Sequence, residues 1–221
     1  MDETMSGEAM ALHVIHKINK KLKFLYRKND FLTPTLRRLL CNALIQPHFD
    51  YACSAWYPNL SKKLKHRIQT TQNKCMRFCL RLDKLKHISH EEFERLNWLP
   101  VTYRFKQCVI SIVFKYFNGQ CPNYLKEVFD VATESNFQLR NSFQKLKCPF
   151  RKTNNGQHAL SYIGPTFWNK TTDTLKRSNN LNTFKHNFKK YILKELKNSS
   201  NSFKISFQFL SISILIFLFI F

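Results

Sequence analysis

Apolar residues recur at helical spacing along the first 130 residues of the chain. In the first segment they stand three or four positions apart, at Leu12, Ile15, Ile18, Leu22 and Leu25, and lysines occupy positions between them. A helix with this spacing has one apolar face and one polar face. The pattern therefore predicts an amphipathic helix that packs against a core.

Capping residues divide the following sequence into further helices. Thr33 before Pro34 is typical of an N-cap followed by proline at the first helical position, and Pro47 indicates that this helix bends or ends. Ser61 predicts the N-cap of a third helix, which extends to about Leu82. The first 82 residues are therefore expected to be helical, with a short aromatic helix or turn before Ser61.

Two more helices are expected before residue 130. Ser89 and Glu92 have the spacing of a capping box, which predicts a short fourth helix. Pro100 predicts the start of a longer helix, and Asn118 with Gly119 predicts its end. The expected buried side of this helix consists of Phe105, Val109, Ile112, Val113 and Tyr116.

The helical period disappears between residues 131 and 172. Asn, Thr, Gly and Pro accumulate there around short apolar pieces such as Ala159–Pro165, which predicts loops with one or two short strands. A last basic helix is expected from about Asn182 to Lys197. We therefore predict a mainly α fold, a helical bundle with a loop-rich, short-strand segment near 131–172 and a C-terminal apolar helix.

That apolar helix is expected in the last segment of the chain. Between Ile205 and Phe221, 13 of 17 residues are Ile, Leu or Phe, and no charged residue follows Lys204. As a helix this segment would be about 26 Å long, which is near the lower limit for crossing a bilayer. Lysines precede it, as expected for a cytosolic flank. The tail 205–221 therefore predicts a membrane anchor, and the alternative is translated noncoding sequence.

Composition limits the kinds of molecule that the protein is expected to bind. The 221 residues include 36 Lys and Arg against 14 Asp and Glu, which gives a net charge of +22 at pH 7. This charge favours nucleic acid or an anionic membrane surface as the partner, unless the lysines only reflect an AT-rich gene. Seven cysteines without paired spacing favour a reducing compartment over a disulfide scaffold. The acidic, polar N-terminus does not resemble a signal peptide.

The predicted third helix places basic side chains in a single row. Seven Lys or Arg and no acid lie between Ser61 and Leu82. Positions 63, 67, 70, 74, 77 and 81 are separated by alternating steps of four and three residues, so they lie on one side of the helix. Five of these positions carry Lys or Arg, and position 70 carries Thr. This basic row consists of Lys63, Arg67, Lys74, Arg77 and Arg81. Such a row can follow a phosphate backbone, and the alternative is a solvated helix whose charges only maintain solubility.

A second group of cations follows residue 139 and is interspersed with aromatic residues. Phe137, Phe143 and Phe150 lie among these cations, which is typical of surfaces on which single-stranded bases stack. The same aromatic residues could equally belong to the core. The cations of this second basic region are Arg140, Lys145, Lys147, Arg151 and Lys152.

A series of short motifs occurs in a fixed order along the chain. The most informative is LIQPHFDYACSAWY at 44–57. The others are FLTPTLRRLL at 31–40, IQTTQNKC at 68–75, LNWLPV at 96–101, KYFNGQCPNYL at 115–125, LRN at 139–141, FWNK at 167–170 and LNTFK at 181–185. As an ordered series, from about residue 8 to 196, they resemble the region after the catalytic palm in reverse transcriptases of LINE-like and jockey-like retrotransposons, which lack long terminal repeats.

This resemblance implies a division of the chain. It implies a thumb-like helical region at 1–82 and post-thumb helices at 83–130. A loop-rich segment with a terminal basic helix follows at 131–197, and the apolar tail occupies 198–221. The basic row favours binding of duplex or hybrid nucleic acid without sequence preference. The resemblance points the same way, because the thumb of these polymerases grips primer and template.

The same resemblance argues against catalysis. Polymerases of this class hold divalent metals with two adjacent aspartates, whereas the six aspartates here stand singly at 2, 30, 50, 83, 130 and 173. We therefore expect no enzymatic activity, no cofactor and no small-molecule substrate. Cys75 and Cys79 precede His87 and His90 at C-x3-C-x7-H-x2-H spacing, but packing of the cysteines as small apolar groups is favoured over a zinc site.

Three functional hypotheses remain from the sequence. The preferred one is a C-terminal remnant of a retrotransposon RNA-directed DNA polymerase, which lacks the palm and the endonuclease but still binds nucleic acid. The alternatives are a tail-anchored membrane protein with a basic cytosolic domain and a non-functional translated fragment. The expected location is a membrane if the tail inserts, and otherwise the nucleus or the cytoplasm.

Overall fold

Helices form most of the computed structural model, which describes residues 6–132 and 144–198. The mainly helical fold is thus confirmed. A 3-10 turn at Asn29–Phe31 follows the first helix. The helices are α1 (Glu8–Arg27), α2 (Pro34–Leu44), α3 (Gln46–Asp50), α4 (Cys53–Trp56), α5 (Lys62–Leu80), α6 (His90–Leu96), α7 (Val101–Phe117), α8 (Asn123–Lys126), α9 (Asn154–His158), α10 (Leu160–Asn169), α11 (Asp173–Lys176) and α12 (181–198).

The predicted N-caps are confirmed at α2 and α5. The Thr33 hydroxyl accepts a hydrogen bond from the Leu36 N–H at 3.3 Å, and the Ser61 hydroxyl accepts one from the Leu64 N–H at 3.3 Å. Each bond pairs a backbone N–H that the first turn of a helix leaves without a partner. Pro47 lies in the first turn of α3, so the helix before it has already ended.

The predicted limits of α6 and α7 are confirmed as well. The Glu92 carboxylate accepts a hydrogen bond from the Ser89 N–H at 2.7 Å, which forms the capping box. Pro100 is the N-cap residue of α7, and Asn118 is its C-cap residue. The amide of Asn118 donates to the Phe114 carbonyl at 2.8 Å, so it pairs one of the carbonyls at the helix end.

Helix α7 lies at the centre of the bundle. It contacts α3, α4 and α5, which precede it, and α10, which follows it. Helices α1 and α2 also pack on α5. Among the described residues, the buried apolar side chains form a cluster that extends from Ala11 to Leu193. Leu12 departs from the predicted apolar face of α1, because it is exposed while Ala11 and Val14 are buried.

The prediction of short strands within 131–172 is wrong for the described residues. They contain the helices α9 and α10 and one isolated antiparallel bridge between Val131 and Leu146. Gly164 and Pro165 disfavour a helix locally. Burial of the apolar face of α10, including Trp168, outweighs this preference.

Two other predictions concern the end of the chain. The predicted last basic helix is confirmed as α12, which begins one residue earlier than expected. The predicted apolar helix at 205–221 lies outside the described residues and stays a prediction. Within 6–132 and 144–198, no helix is long and apolar enough to cross a membrane.

Candidate nucleic-acid interface

Helix α5 presents opposite chemistry on its two sides. Leu64 and Ile68 are buried against the bundle, whereas Lys63, Arg67 and Lys74 are exposed. The three exposed cations extend over about 17 Å of helix. Among the described residues, no carboxylate lies within ion-pair distance of any of the three. Their positive charge is therefore directed at solvent and is not neutralised by a neighbouring side chain.

The other two cations of the basic row have a structural role. Arg77 is half-buried, and its Nε donates to the Lys86 carbonyl at 2.9 Å. Arg81 adopts a left-handed conformation at the C-cap of α5, and its guanidinium donates to the Leu32 carbonyl at 3.1 Å. These bonds hold the segments that flank α2 and α6 against the end of α5. Both side chains nevertheless add positive charge to the basic row.

The second basic region is only partly within the described residues. Arg140 lies outside them, as do Phe137 and Phe143. Lys145 is half-buried, and the other three cations of this region are exposed. Phe150 is 84% exposed, so this ring is not part of the core and stands beside exposed cations. Exposed cations beside an exposed ring are what stacking on single strands requires.

Backbone pairing and one side chain hold the second basic region in place. The Lys147 N–H donates to the Asp130 carbonyl at 2.8 Å, and the Lys145 carbonyl accepts from the Ala132 N–H at 3.0 Å. The Asn169 side chain bonds both backbone groups of Leu146, at 3.1 and 2.8 Å. This attachment places the second region beside α10, which packs on α7 and α9, whereas α5 packs on α1, α2, α6 and α7. The two basic regions thus belong to different parts of the bundle.

Five further cations surround a single cavity that the sequence did not indicate. They come from α2, α7 and α12, which are far apart along the chain, so neither residue spacing nor a local charge run could have revealed the group. Only the packing of the three helices brings these side chains together. The five residues are Arg38, Arg104, Lys115, Lys185 and Lys189.

The two cysteines considered for zinc are buried in the core. The Cys75 thiol donates to the Thr71 carbonyl at 3.3 Å, and the Cys79 thiol lies 3.9 Å from the Arg37 carbonyl. Burial raises the pKa of Cys75 well above its usual range, which disfavours the thiolate that a metal needs. His87 is exposed. The described part of the chain contains no group of three or more Cys, His, Asp or Glu placed to hold a metal ion.

The chain was also compared with known proteins. Comparisons with family models, curated proteins and solved structures find no match. No relative therefore assigns a role to these side chains.

Proposed function

We propose that the protein binds duplex or hybrid nucleic acid without sequence preference through the basic row of α5, as a C-terminal remnant of a retrotransposon reverse transcriptase. The observation that carries this proposal is the exposure of Lys63, Arg67 and Lys74 along one helix whose opposite face is buried. Their common helix, α5, keeps the three charges at fixed spacing. They can therefore contact successive phosphates without first becoming ordered.

The absence of neighbouring carboxylates favours this proposal over a helix that is merely solvated. Surface cations that maintain solubility are usually interspersed with acids. The segment 61–82 contains no acid, and the described structure brings none within ion-pair distance of the three exposed cations. Phosphate contacts position a protein on a duplex and carry no sequence information directly. Binding without base preference is therefore the outcome that this surface supports.

Changing Lys63, Arg67 and Lys74 to Glu should weaken binding and its salt dependence together. We expect the log-log slope of affinity against salt to become shallower by about 2 to 3, because each lost phosphate contact removes about 0.9. Affinity near about 0.1 M salt should fall at least about tenfold. The measurement is fluorescence anisotropy of the full chain in nonionic detergent, with a DNA duplex and an RNA–DNA hybrid as probes.

A charge-matched control separates the effect of the basic row on binding from the effect of the total charge. Lys190, Lys194 and Lys197 are exposed on α12, and changing them to Glu alters the net charge equally. This control should retain most of the affinity and the slope. Equal losses in both triple variants, or binding that ignores salt, would contradict the proposal. Far-ultraviolet circular dichroism establishes that each variant is folded.

A second candidate function rests on the apolar tail. Its 13 large apolar residues favour insertion, since Leu, Ile and Phe each contribute about −0.3 to −0.6 kcal/mol at the centre of a spanning helix. We propose that the tail 205–221 directs the chain to membranes, where the basic domain would face the cytosol. The basic domain would then contact the anionic lipids of the cytosolic leaflet.

A reporter fused to residues 198–221 tests the anchor. The fusion should remain with the membrane fraction after carbonate extraction, whereas a matched fusion with Ile212, Ile214 and Leu215 changed to Lys should be released. Each lysine opposes insertion by about 2.5 to 3.5 kcal/mol near the helix centre. A native tail that stays in the soluble fraction would exclude the anchor and leave the nucleic-acid proposal untouched.

A further inference from the structure

A cavity of about 570 Å³ lies between α2, α3, α7, α12 and the segment 96–99. Its volume is within the range of pockets that hold small ligands. We call it the cationic cavity, because its walls carry Arg38, Arg104, Lys115, Lys185 and Lys189. A duplex is too wide to enter such a space, so this site is separate from the basic row.

The charges around the cationic cavity are poorly balanced. Asp50 is the one carboxylate among its lining residues, and it already accepts a hydrogen bond from Arg104 Nε at 3.0 Å. Among the described residues, no carboxylate pairs with the other four cations. Burial lowers the pKa of Lys189 and the neighbouring Arg104 lowers it further, while Asp50 raises it in part. An anion bound here would offset the mutual repulsion of these cations.

A buried amide without partners lies in the same wall. Gln46 is 5% exposed and lines the cavity, yet neither its amide nitrogen nor its amide oxygen has a hydrogen-bond partner among the described residues. Buried polar groups in folded proteins are nearly always paired. Both amide atoms are also closed to solvent, so the Gln46 side chain must rotate before its amide can donate to a ligand oxygen in the cavity.

The walls indicate which part of a ligand would be recognised. Trp98 is the aromatic residue of the lining, but it is 3% exposed, and its indole N–H donates to the Asn42 side chain at 2.8 Å. It therefore offers no free face on which a base could stack. Arg104 is already paired with Asp50 through Nε and Nη2, so the Arg38 guanidinium and the three ammonium groups are the cations suited to phosphate oxygens. Recognition must therefore act mainly through the charged part of the ligand.

We propose that the cationic cavity binds one small diphosphate anion, held by the cations of α2, α7 and α12 and by the Gln46 amide. This chemistry is shared by inorganic pyrophosphate and by the diphosphate of a nucleotide. The site goes beyond the proposed function, since it neither requires nucleic acid nor includes any residue of the basic row.

Calorimetry on the full chain in nonionic detergent tests the proposal with pyrophosphate, ADP and adenosine as probes. We expect one pyrophosphate per chain, displaced by ADP and not by adenosine. Equal affinity for pyrophosphate and ADP would assign recognition to the phosphates alone, and tighter binding of ADP would assign a nucleotide. No measurable binding of either anion, or equal competition by adenosine, would overturn the proposal.

Matched variants on α12 locate the site. Changing Lys185 and Lys189 to Ala should weaken pyrophosphate binding at least about tenfold, because two charge-assisted contacts are lost. Changing Lys190 and Lys194 to Ala removes two exposed cations from the same helix that do not line the cavity. This control should bind as the natural chain does. Equal weakening in the two double variants would exclude the cavity as the site.

The variant Gln46→Leu separates a ligand contact from a structural role. Removing an unpaired buried amide should raise the melting temperature, while loss of the donor should weaken pyrophosphate binding about threefold. A purely structural residue would not change the two quantities in opposite directions. Unchanged pyrophosphate affinity in this variant would contradict a role for Gln46 in the site.

Discussion

Replacing Arg37 by alanine should lower the free energy of unfolding by about 3 kcal/mol. Arg37 is 2% exposed, and its guanidinium donates to the carbonyls of Leu32 at 3.0 Å, Phe78 at 3.2 Å and Asn29 at 2.7 Å. It also lies over the Phe78 ring, 5.1 Å from the centroid. The substitution leaves three carbonyls without these donors and removes a large buried side chain.

Urea denaturation followed by circular dichroism measures this effect. Arg38 is the adjacent control, because it is exposed, and Arg38→Ala should change stability by less than about 0.5 kcal/mol. Arg37→Lys should recover less than half of the loss, since one ammonium group cannot reproduce the planar fork that reaches three carbonyls. If Arg37→Ala and Arg38→Ala unfolded at the same urea concentration, the three bonds would have no net stabilising role.

Replacing Trp168 by alanine should cost about 3 to 5 kcal/mol. Its side chain is fully buried and stacks on Phe117 at 5.4 Å between ring centroids, and the Phe184 ring lies 6.1 Å away. The indole N–H donates to the Gln144 carbonyl at 2.8 Å. Trp168 therefore joins α7, α10, α12 and the segment at Gln144, which directly precedes Lys145. Its loss opens a cavity where all four meet.

The same denaturation experiment applies, with two comparisons. Trp168→Phe keeps part of the aromatic packing and should lose less stability than the alanine variant. Phe150→Ala removes an exposed ring and should change stability by less than about 0.5 kcal/mol. A Trp168→Ala protein as stable as Phe150→Ala would show that α10 and α12 contribute little to the cooperative unit.

The helix limits were predictable from the sequence because caps act locally. The hydroxyls of Thr33, Ser61 and Ser89 each accept a hydrogen bond from a backbone N–H two or three residues further on, so their effect does not depend on the rest of the fold. Helix α10 was not predictable in this way. Its Gly164 allows a close approach, since a Cβ there would lie 2.6 Å from Phe129 Cε1. Only the packing of Phe129, from the loop after α8, and of Val113 against Gly164 reveals why a poor helix former is required.

The candidate sites also include features that the sequence could predict and features that it could not. The basic row was predictable because one helix carries it at a regular spacing. That Arg77 and Arg81 bond distant carbonyls was not predictable, because backbone acceptors leave no signature in the sequence. The cationic cavity was missed for a related reason. Its cations lie on three helices, and the position of each helix depends on the packing of the whole core.

The central position of α7 has a consequence for the order in which the chain can fold during synthesis. The Gln72 amide donates to the Leu99 carbonyl at 2.8 Å, and the Gln69 side chain accepts from the Val101 N–H at 3.0 Å, so α5 is joined to the start of α7. A ribosome releases α1 to α5 before α7. Until α7 emerges, α5 is covered by α1, α2 and α6 alone, and the nascent chain presents the apolar surface that α7 covers to chaperones and to other nascent chains.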